Sequence, residues 1–204
     1  MTPQPYHHGT LRAELLERAE TLLRTDGADA LSLREVARQA GVSHGAPRAH
    51  FIDRQSLLDA LAVRGFERLT AEVGSALHGG RSFKERFQRV ARSYVLFAVE
   101  DGALMELMFT IKNDDPDGSV HAAAVRLFQI LDEVLGEETP ATSQPAIDAR
   151  DRFKLLFAAT MQGVATLIAA QRVTPEQGNQ LVEDAVEELL ASTLATRAEL
   201  HPGS

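Results

Sequence analysis

Between Thr10 and Asp26, Leu11, Leu15, Ala19, Leu22 and Leu23 recur three and four positions apart with charged residues between them. That period is helical, and Gly27 supplies the stop signal. Ser32-Leu33-Arg34-Glu35 then predicts a capping box. In it the Ser32 hydroxyl accepts from the Glu35 amide while the Glu35 carboxylate reaches back to the Ser32 amide. The short helix it opens ends at Gly41, and Ser43 offers a second N-cap two residues later. A longer first helix followed by two short ones around a tight glycine turn describes a helix-turn-helix.

The helical period continues through the rest of the chain. Arg54 to about Leu77 predicts a long amphipathic helix, ended by Gly79-Gly80. Ser82 caps the next, which reaches Glu100 and breaks at Asp101-Gly102. Residues 103–112 read as a short apolar helix, Asn113–Ser119 as a polar turn and Val120–Leu135 as a further helix. Gly136–Ala146 is a loop containing Pro140 and Pro145, and Asp148–Gln171 a long apolar helix. Thr174-Pro175-Glu176-Gln177 combines an N-cap, a proline at the first helical position and a glutamine three residues on. The final helix is predicted to continue to about Leu200. No stretch of alternating β-branched residues competes with this pattern. The expectation is an all-α chain of about nine helices, with residues 1–58 as a three-helix N-terminal domain and 59–204 as a helical bundle.

Composition narrows the chemistry. The 204 residues are enough to bury a sizeable core without covalent staples. With no cysteine, disulfide scaffolds, Cys-zinc sites, iron–sulfur clusters and thiol catalysis are excluded. The opening MTPQPYHHG lacks the pattern of a secretory signal, and no apolar run reaches the ~18–20 residues of a membrane span. The expectation is a cytoplasmic protein. The formal charge is −8, from 21 basic and 29 acidic residues. It is unevenly spread: nine arginines balance nine acids over residues 1–70, and the whole acidic excess falls in residues 71–204. Such asymmetry suits a chain whose N-terminal part meets a polyanion.

Residues 32–58, SLREVARQAGVSHGAPRAHFIDRQSLL, carry the sharpest chemistry. On a helical wheel Pro47 and Phe51 share one arc, predicted to pack on Val36, Ala37 and Leu57. Gly45, Arg48 and Ala49 occupy roughly the opposite arc. Glycine and alanine there let the backbone approach a DNA groove closely, and the first amides of the helix are donors for phosphate.

This stretch resembles the DNA-binding domain of the TetR family of bacterial transcriptional regulators. The resemblance runs from His7 to about Leu61: HHGTLR at the first helix, SLREVARQAGVS through the turn, then HGAPRAHF and DRQSLL. YVLFAVEDGALMELMF (94–109) resembles the ligand domain of a subgroup with a WHG-type C-terminal domain. Within 158–163, AATMQG, Ala158 and Gln162 stand where that subgroup carries Trp and His. Carried over by position, the resemblance implies DNA contacts from Ser32, Arg34, Ser43, His44, Gly45, Ala46, Arg48, Ala49, His50 and Arg54. Arg48 replaces a tyrosine that contacts phosphate in the family. An arginine can pair with phosphate bidentately or read guanine, and phosphate contacts are the commoner.

In the C-terminal half, Phe97, Leu104, Met105, Met108, Phe109, Phe128, Leu131, Phe157, Met161 and Leu167 form an apolar set. Each residue taken alone reads as core. Together, so many Met and Phe suit an adaptable cavity for a small apolar effector. Gln162 and Thr160, with Asn113 and His121, are polar groups that need partners if buried, and a ligand is one candidate. Ala158, Gly163, Ala165, Ala169 and Ala170 on the penultimate helix, with Leu181, Val182, Ala185, Leu189 and Leu190 on the last, predict a four-helix homodimer interface.

The remaining polar clusters read as structure. His50 near Asp53 is a packing or phosphate-facing histidine rather than a general base. The Asn113–Gly118 run lacks the glutamate that a calcium loop needs at position 124. His7-His8 is weak as a metal pair, and no nucleotide, hydrolase or zinc-protease motif occurs. The expectation is a non-enzymatic regulator without cofactor. It would bind a double-stranded operator as a homodimer and act as a repressor released by a small-molecule effector bound in the C-terminal domain. The rival is a helical small-molecule-binding protein with a degenerate DNA-binding head.

Overall fold

The computed structural model describes residues 8–78, 80, 82–111, 115, 117–138 and 141–200. Among them the chain is all-α, with nine α-helices and no strand. These are α1 (His8–Asp26), α2 (Leu33–Gln39), α3 (Arg54–Leu77), α4 (Phe83–Glu100), α5 (Gly102–Thr110), α6 (Ser119–Glu138), α7 (Gln144–Ala169), α8 (Pro175–Ala191) and α9 (Thr193–Arg197). Two 3-10 turns, Ala28–Ala30 and Ala46–Ala49, flank α2.

Caps explain most of the boundaries. Ser32, Ser82 and Ser143 each accept from the amide three residues on, and Thr174 with Gln177 closes the full reciprocal box. Three expectations need correction. At α2 the box is only half formed: Glu35 turns away to Arg38 Nε at 2.9 Å, so Ser32 caps alone. The Arg38 hydrogen bond holds the Glu35 carboxyl below its ordinary range. The α7 helix begins four residues earlier than predicted, because Pro145 sits in its first turn, where its missing amide costs nothing. The final helix does not run through to Leu200. Ser192 adopts an extended conformation, ends α8 and caps α9 from its side chain.

The chain divides into two compact units: Met1–Phe66 with Asp101–Ala122, and Glu67–Glu100 with Ala123–Ser204. The α3 helix contributes to both. In the first unit Leu15, Leu23, Leu31, Val36, Leu57 and Leu61 are sealed from water, each stabilising the fold by about 1.5–3 kcal/mol. The α5 helix belongs to this unit and packs on α1. It also lies close to α3, since a Cβ at Gly65 would meet Met108 Sδ at 2.5 Å.

The second unit centres on an aromatic cluster. The Phe87 ring meets Phe157 edge-on at 4.7 Å and lies 5.4–5.6 Å from Phe83 and Phe153. The α7 helix packs against α4, α8 and α9. Lys154, buried on α7, reaches Asp132 of α6 at 2.6 Å and Asp151 at 2.8 Å. Burial disfavours its ammonium, but the two carboxylates outweigh that and raise its pKa above the ordinary lysine value.

Candidate nucleic-acid interface

The segment after α2 is where the sequence departs furthest from its expected structure. Gly41 takes φ +68° and reverses the chain, a conformation that only glycine adopts without strain. The sequence predicts a further short helix here, capped by Ser43. The structure instead has a single 3-10 turn, Ala46–Ala49, whose N-cap is Gly45 with no side-chain bond. The physical cause is Pro47. It has no amide to give to Ser43 O, so an α-helix opening at Ser43 lacks that i→i−4 bond. The bonds that form are short-range: Ala46 N to Ser43 O at 3.0 Å, Arg48 N to Gly45 O at 3.2 Å and His50 N to Pro47 O at 2.9 Å.

The inside–outside division of this turn nonetheless follows the helical wheel. Pro47 and Phe51 are buried, while Ser43, His44, Gly45, Arg48 and Ala49 are exposed. Ala46 and His50 are half-buried, as is Ser32, and Arg34 projects to solvent from α2. Ile52, next to the buried Phe51, is 88% exposed.

The arginines of residues 1–70 sort by what their guanidinium groups touch. Arg24 pairs with Glu20 and, at 2.6 Å, with the buried Asp101. Arg38 is held by Glu35, and Arg64 pairs with Glu20 at 3.3 Å. Arg54 donates from Nε to Leu31 O at 2.8 Å and from Nη2 to Ala28 O at 2.6 Å. It ties the start of α3 to the loop before α2, a structural role beside the DNA contact that the resemblance implies. Arg68 stacks over Phe97. Arg12, Arg18, Arg34 and Arg48 remain, and among the described residues these make no ion pair. A region with no net charge therefore presents uncompensated cations at chosen points, two of them on the helix-turn-helix. Sequence counting could not make this division, because it depends on which acids lie within reach.

The apolar residues assigned to an effector cavity are divided between the units. Leu104, Met105 and Met108 are buried in the first, and Phe109 there is half exposed, edge-on to Phe66 at 5.6 Å. Phe97, Leu131, Phe157 and Met161 are buried in the second, Phe128 is half-buried and Leu167 is exposed.

Polar groups on α7 also find protein partners. Thr160 Oγ1 donates to the carbonyl of Leu156 at 2.7 Å, which removes the need for a ligand there. Gln162 Oε1 accepts from the Tyr94 hydroxyl at 2.9 Å. Tyr94 was not singled out from the sequence. A lone tyrosine on the apolar face of α4 needs a hydroxyl partner, and that was the available signal. Thr70 Oγ1 on α3 is buried and has no hydrogen-bond partner among the described residues. His121 is half-buried, and Asn113 lies outside the described residues.

The predicted dimer stripe also needs correction. Val182, Leu189 and Leu190 of α8 are buried within the protomer, as is Ala165 of α7. Gly163 and Ala169 of α7, its C-cap Ala170 and Leu181 of α8, also in that stripe, are exposed, and Gly163 lies on a solvent-facing line with Leu155, Ala159 and Leu167, four residues apart. No described helix is long and apolar enough to cross a membrane, and no group of three metal-ligating side chains comes together among the described residues.

Comparison with known proteins bears on both halves. A family model described as bacterial regulatory proteins, tetR family, matches residues 15–61. A model described as the tetracyclin repressor-like C-terminal domain matches residues 87–192. Among solved structures, a protein of unknown function from a Rhodococcus species is 38% identical over 93% of this chain and 98% of that one, with a TM-score of 0.79. A TetR-family transcriptional regulator from Streptomyces coelicolor is 21% identical, covering 92% and 99%, with a TM-score of 0.69. The regulator FadR from Bacillus subtilis, solved in complex with stearoyl-CoA, is 14% identical, covering 88% and 97%, with a TM-score of 0.68. The last two likenesses speak to the fold alone. No curated protein matches the chain.

Proposed function

Because the chain belongs to the TetR family of bacterial regulatory proteins, we propose that it is a homodimeric repressor of transcription, released from its operator by a small molecule. In this reading residues 1–58 bind DNA and 59–204 bind the effector and dimerise. The observation that carries it is the exposed set around the Ala46–Ala49 turn. Small Gly45 and Ala49 flank unpaired Arg48 above a base of buried Pro47 and Phe51, with unpaired Arg34 on the preceding helix. Small residues permit close approach to the groove, and the two arginines supply charge for phosphate or guanine. Ser32, Ser43, His44, Ala46, His50 and Arg54 complete the proposed contacts.

The effector reading rests on α4 and α7. Phe97, Phe157 and Met161 provide apolar surface there, and Tyr94 with Gln162 provides a hydrogen-bonding pair. Phe128 and Thr70 add to the candidate lining. Leu104, Met105, Met108 and Phe109 have a different proposed part, as the packing of α5 on α1. A ligand that bound two conformations with different affinity, and moved α5 between them, would alter the head through that contact. The dimer is assigned to the exposed ridge of α7, Leu155 to Leu167, with Leu181. Spacing by four matches the ridges by which helices interlock.

A second reading, a small-molecule-binding protein with a degenerate head, is favoured by the recognition helix being reduced to one turn. Titration of labelled DNA from upstream of the chain's own gene separates the two. A regulator binds it with an affinity that falls steeply with salt, as neutralised phosphates release counterions. Arg48→Ala then weakens all bound sequences about equally if its contact is phosphate. Salt-independent or absent binding favours the second reading.

A further inference from the structure

We infer that the DNA-binding face extends beyond the helix-turn-helix onto α1, where Arg12 contacts a backbone phosphate. The inference rests on the DNA-binding reading above and adds a residue that the helix-turn-helix motif does not contain. The Arg12 guanidinium stands 5.3 Å from the centroid of the Phe51 ring, within cation–π range. Phe51 is itself fixed. It is 2% exposed, and its amide donates to Pro47 O at 2.8 Å, the last bond of the turn that presents Arg48 and Ala49. The position of Arg12 is thereby set relative to the proposed groove-facing residues, all of them within the same compact unit.

Its charge is also available. Arg12 is exposed and makes no ion pair among the described residues, unlike Arg24, Arg38 and Arg64. A guanidinium held over a ring face by cation–π attraction keeps N–H groups free for other acceptors. The stacking also restricts a side chain that would otherwise lose much rotamer freedom on binding. That edge, offered from a neighbouring helix rather than from the recognition turn, suits sequence-independent contact with a phosphate oxygen. Phe51 acts as a positioning residue for it.

The alternative is that Arg12 merely covers the Phe51 ring. Salt dependence of binding to a random-sequence duplex of about 30 base pairs distinguishes the two, measured by anisotropy for wild type, Arg12→Ala, Arg12→Gln and Arg18→Ala. Arg18 is the control. It is exposed on the same helix, six residues on and therefore on a different face, and its loss changes net charge equally. The inference expects the slope of log K against log salt to fall by about 0.9 per bound protomer in both Arg12 variants, and by less than half that in Arg18→Ala. Thermal unfolding followed by circular dichroism checks that the variants are folded. Arg12→Gln retains most of the stem over the ring and serves if alanine unfolds the head. An Arg12 slope equal to wild type, or equal to that of Arg18→Ala, overturns the inference while leaving the DNA-binding reading intact. Absence of salt-dependent binding by the wild type overturns both.

Discussion

Tyr94 of α4 donates its hydroxyl to Gln162 Oε1 of α7 at 2.9 Å, a polar link between two helices whose packing is otherwise dominated by phenylalanine. The residue is 7% exposed. Two polar groups that each need a partner in an apolar setting have found one another, and a ligand with a donor or acceptor could compete for either.

Removing the two ends of that link should not cost the same. Tyr94→Phe leaves the half-buried Gln162 able to turn toward water and is expected to cost about 1 kcal/mol. Gln162→Leu strands the more deeply buried phenol and is expected to cost about 1–3 kcal/mol. Urea midpoints at unchanged m-value check the order, and a larger loss for Tyr94→Phe would contradict it.

The same phenol makes a prediction about alkaline pH. Burial pushes the Tyr94 pKa well above the ordinary tyrosine value of 10. The unfolded chain therefore releases this proton first as pH rises. The contribution of neutral Tyr94 to stability is complete below the unfolded pKa, and is lost as pH climbs from there toward the raised folded value. In Tyr94→Phe, the fall in unfolding free energy above about pH 10 should be shallower than in wild type. Identical slopes would show that the phenol is not shielded.

Arg54 is expected to act first on stability. Its two hydrogen bonds reach the carbonyls of Leu31 and Ala28 across 23 and 26 residues of chain. Arg54→Lys keeps the charge but cannot make both bonds with the same planar geometry. It should lower head stability by about 1 kcal/mol while leaving the salt slope of DNA binding unchanged. Unchanged stability in Arg54→Lys would show that these two bonds do not hold the head together.

The two faces of the α7–α8 pair should separate association from folding. Leu155 is 60% exposed, so Leu155→Glu is expected to give folded monomers in sedimentation. Val182 has no exposed surface, so Val182→Glu buries an unpaired carboxylate and should unfold the protein instead. A dimer that survives Leu155→Glu would refute the proposed interface.

Residue by residue, what the sequence conveyed follows from how local its causes are. Capping at Ser32 and Thr174 is decided within four residues and was readable. So was the division of Pro47 and Phe51 from Arg48 and Ala49, because it depends on spacing alone. The 3-10 turn was missed because the wheel assigns faces without testing whether each amide can donate, and Pro47 cannot. The choice of Glu35 between the Ser32 amide and Arg38 is a competition between two local partners that spacing does not settle. Val182 and Leu189 were rightly read as apolar face, but periodicity does not say whether the surface covering a stripe comes from the same chain or a second copy. The pairing of Tyr94 with Gln162 spans 68 residues and depends on how α4 meets α7.

The central claim is that this chain recognises a DNA sequence as a symmetric pair, and selection of bound duplexes from a random pool tests it most directly. The account predicts enrichment of a quasi-palindrome whose half-sites lie one helical turn or more apart, roughly 34–36 Å or longer, with recovery of bound duplex sharply reduced by Arg34→Ala combined with Arg48→Ala. A pool that emerges without any enriched sequence, or with a single unrepeated half-site, would contradict it.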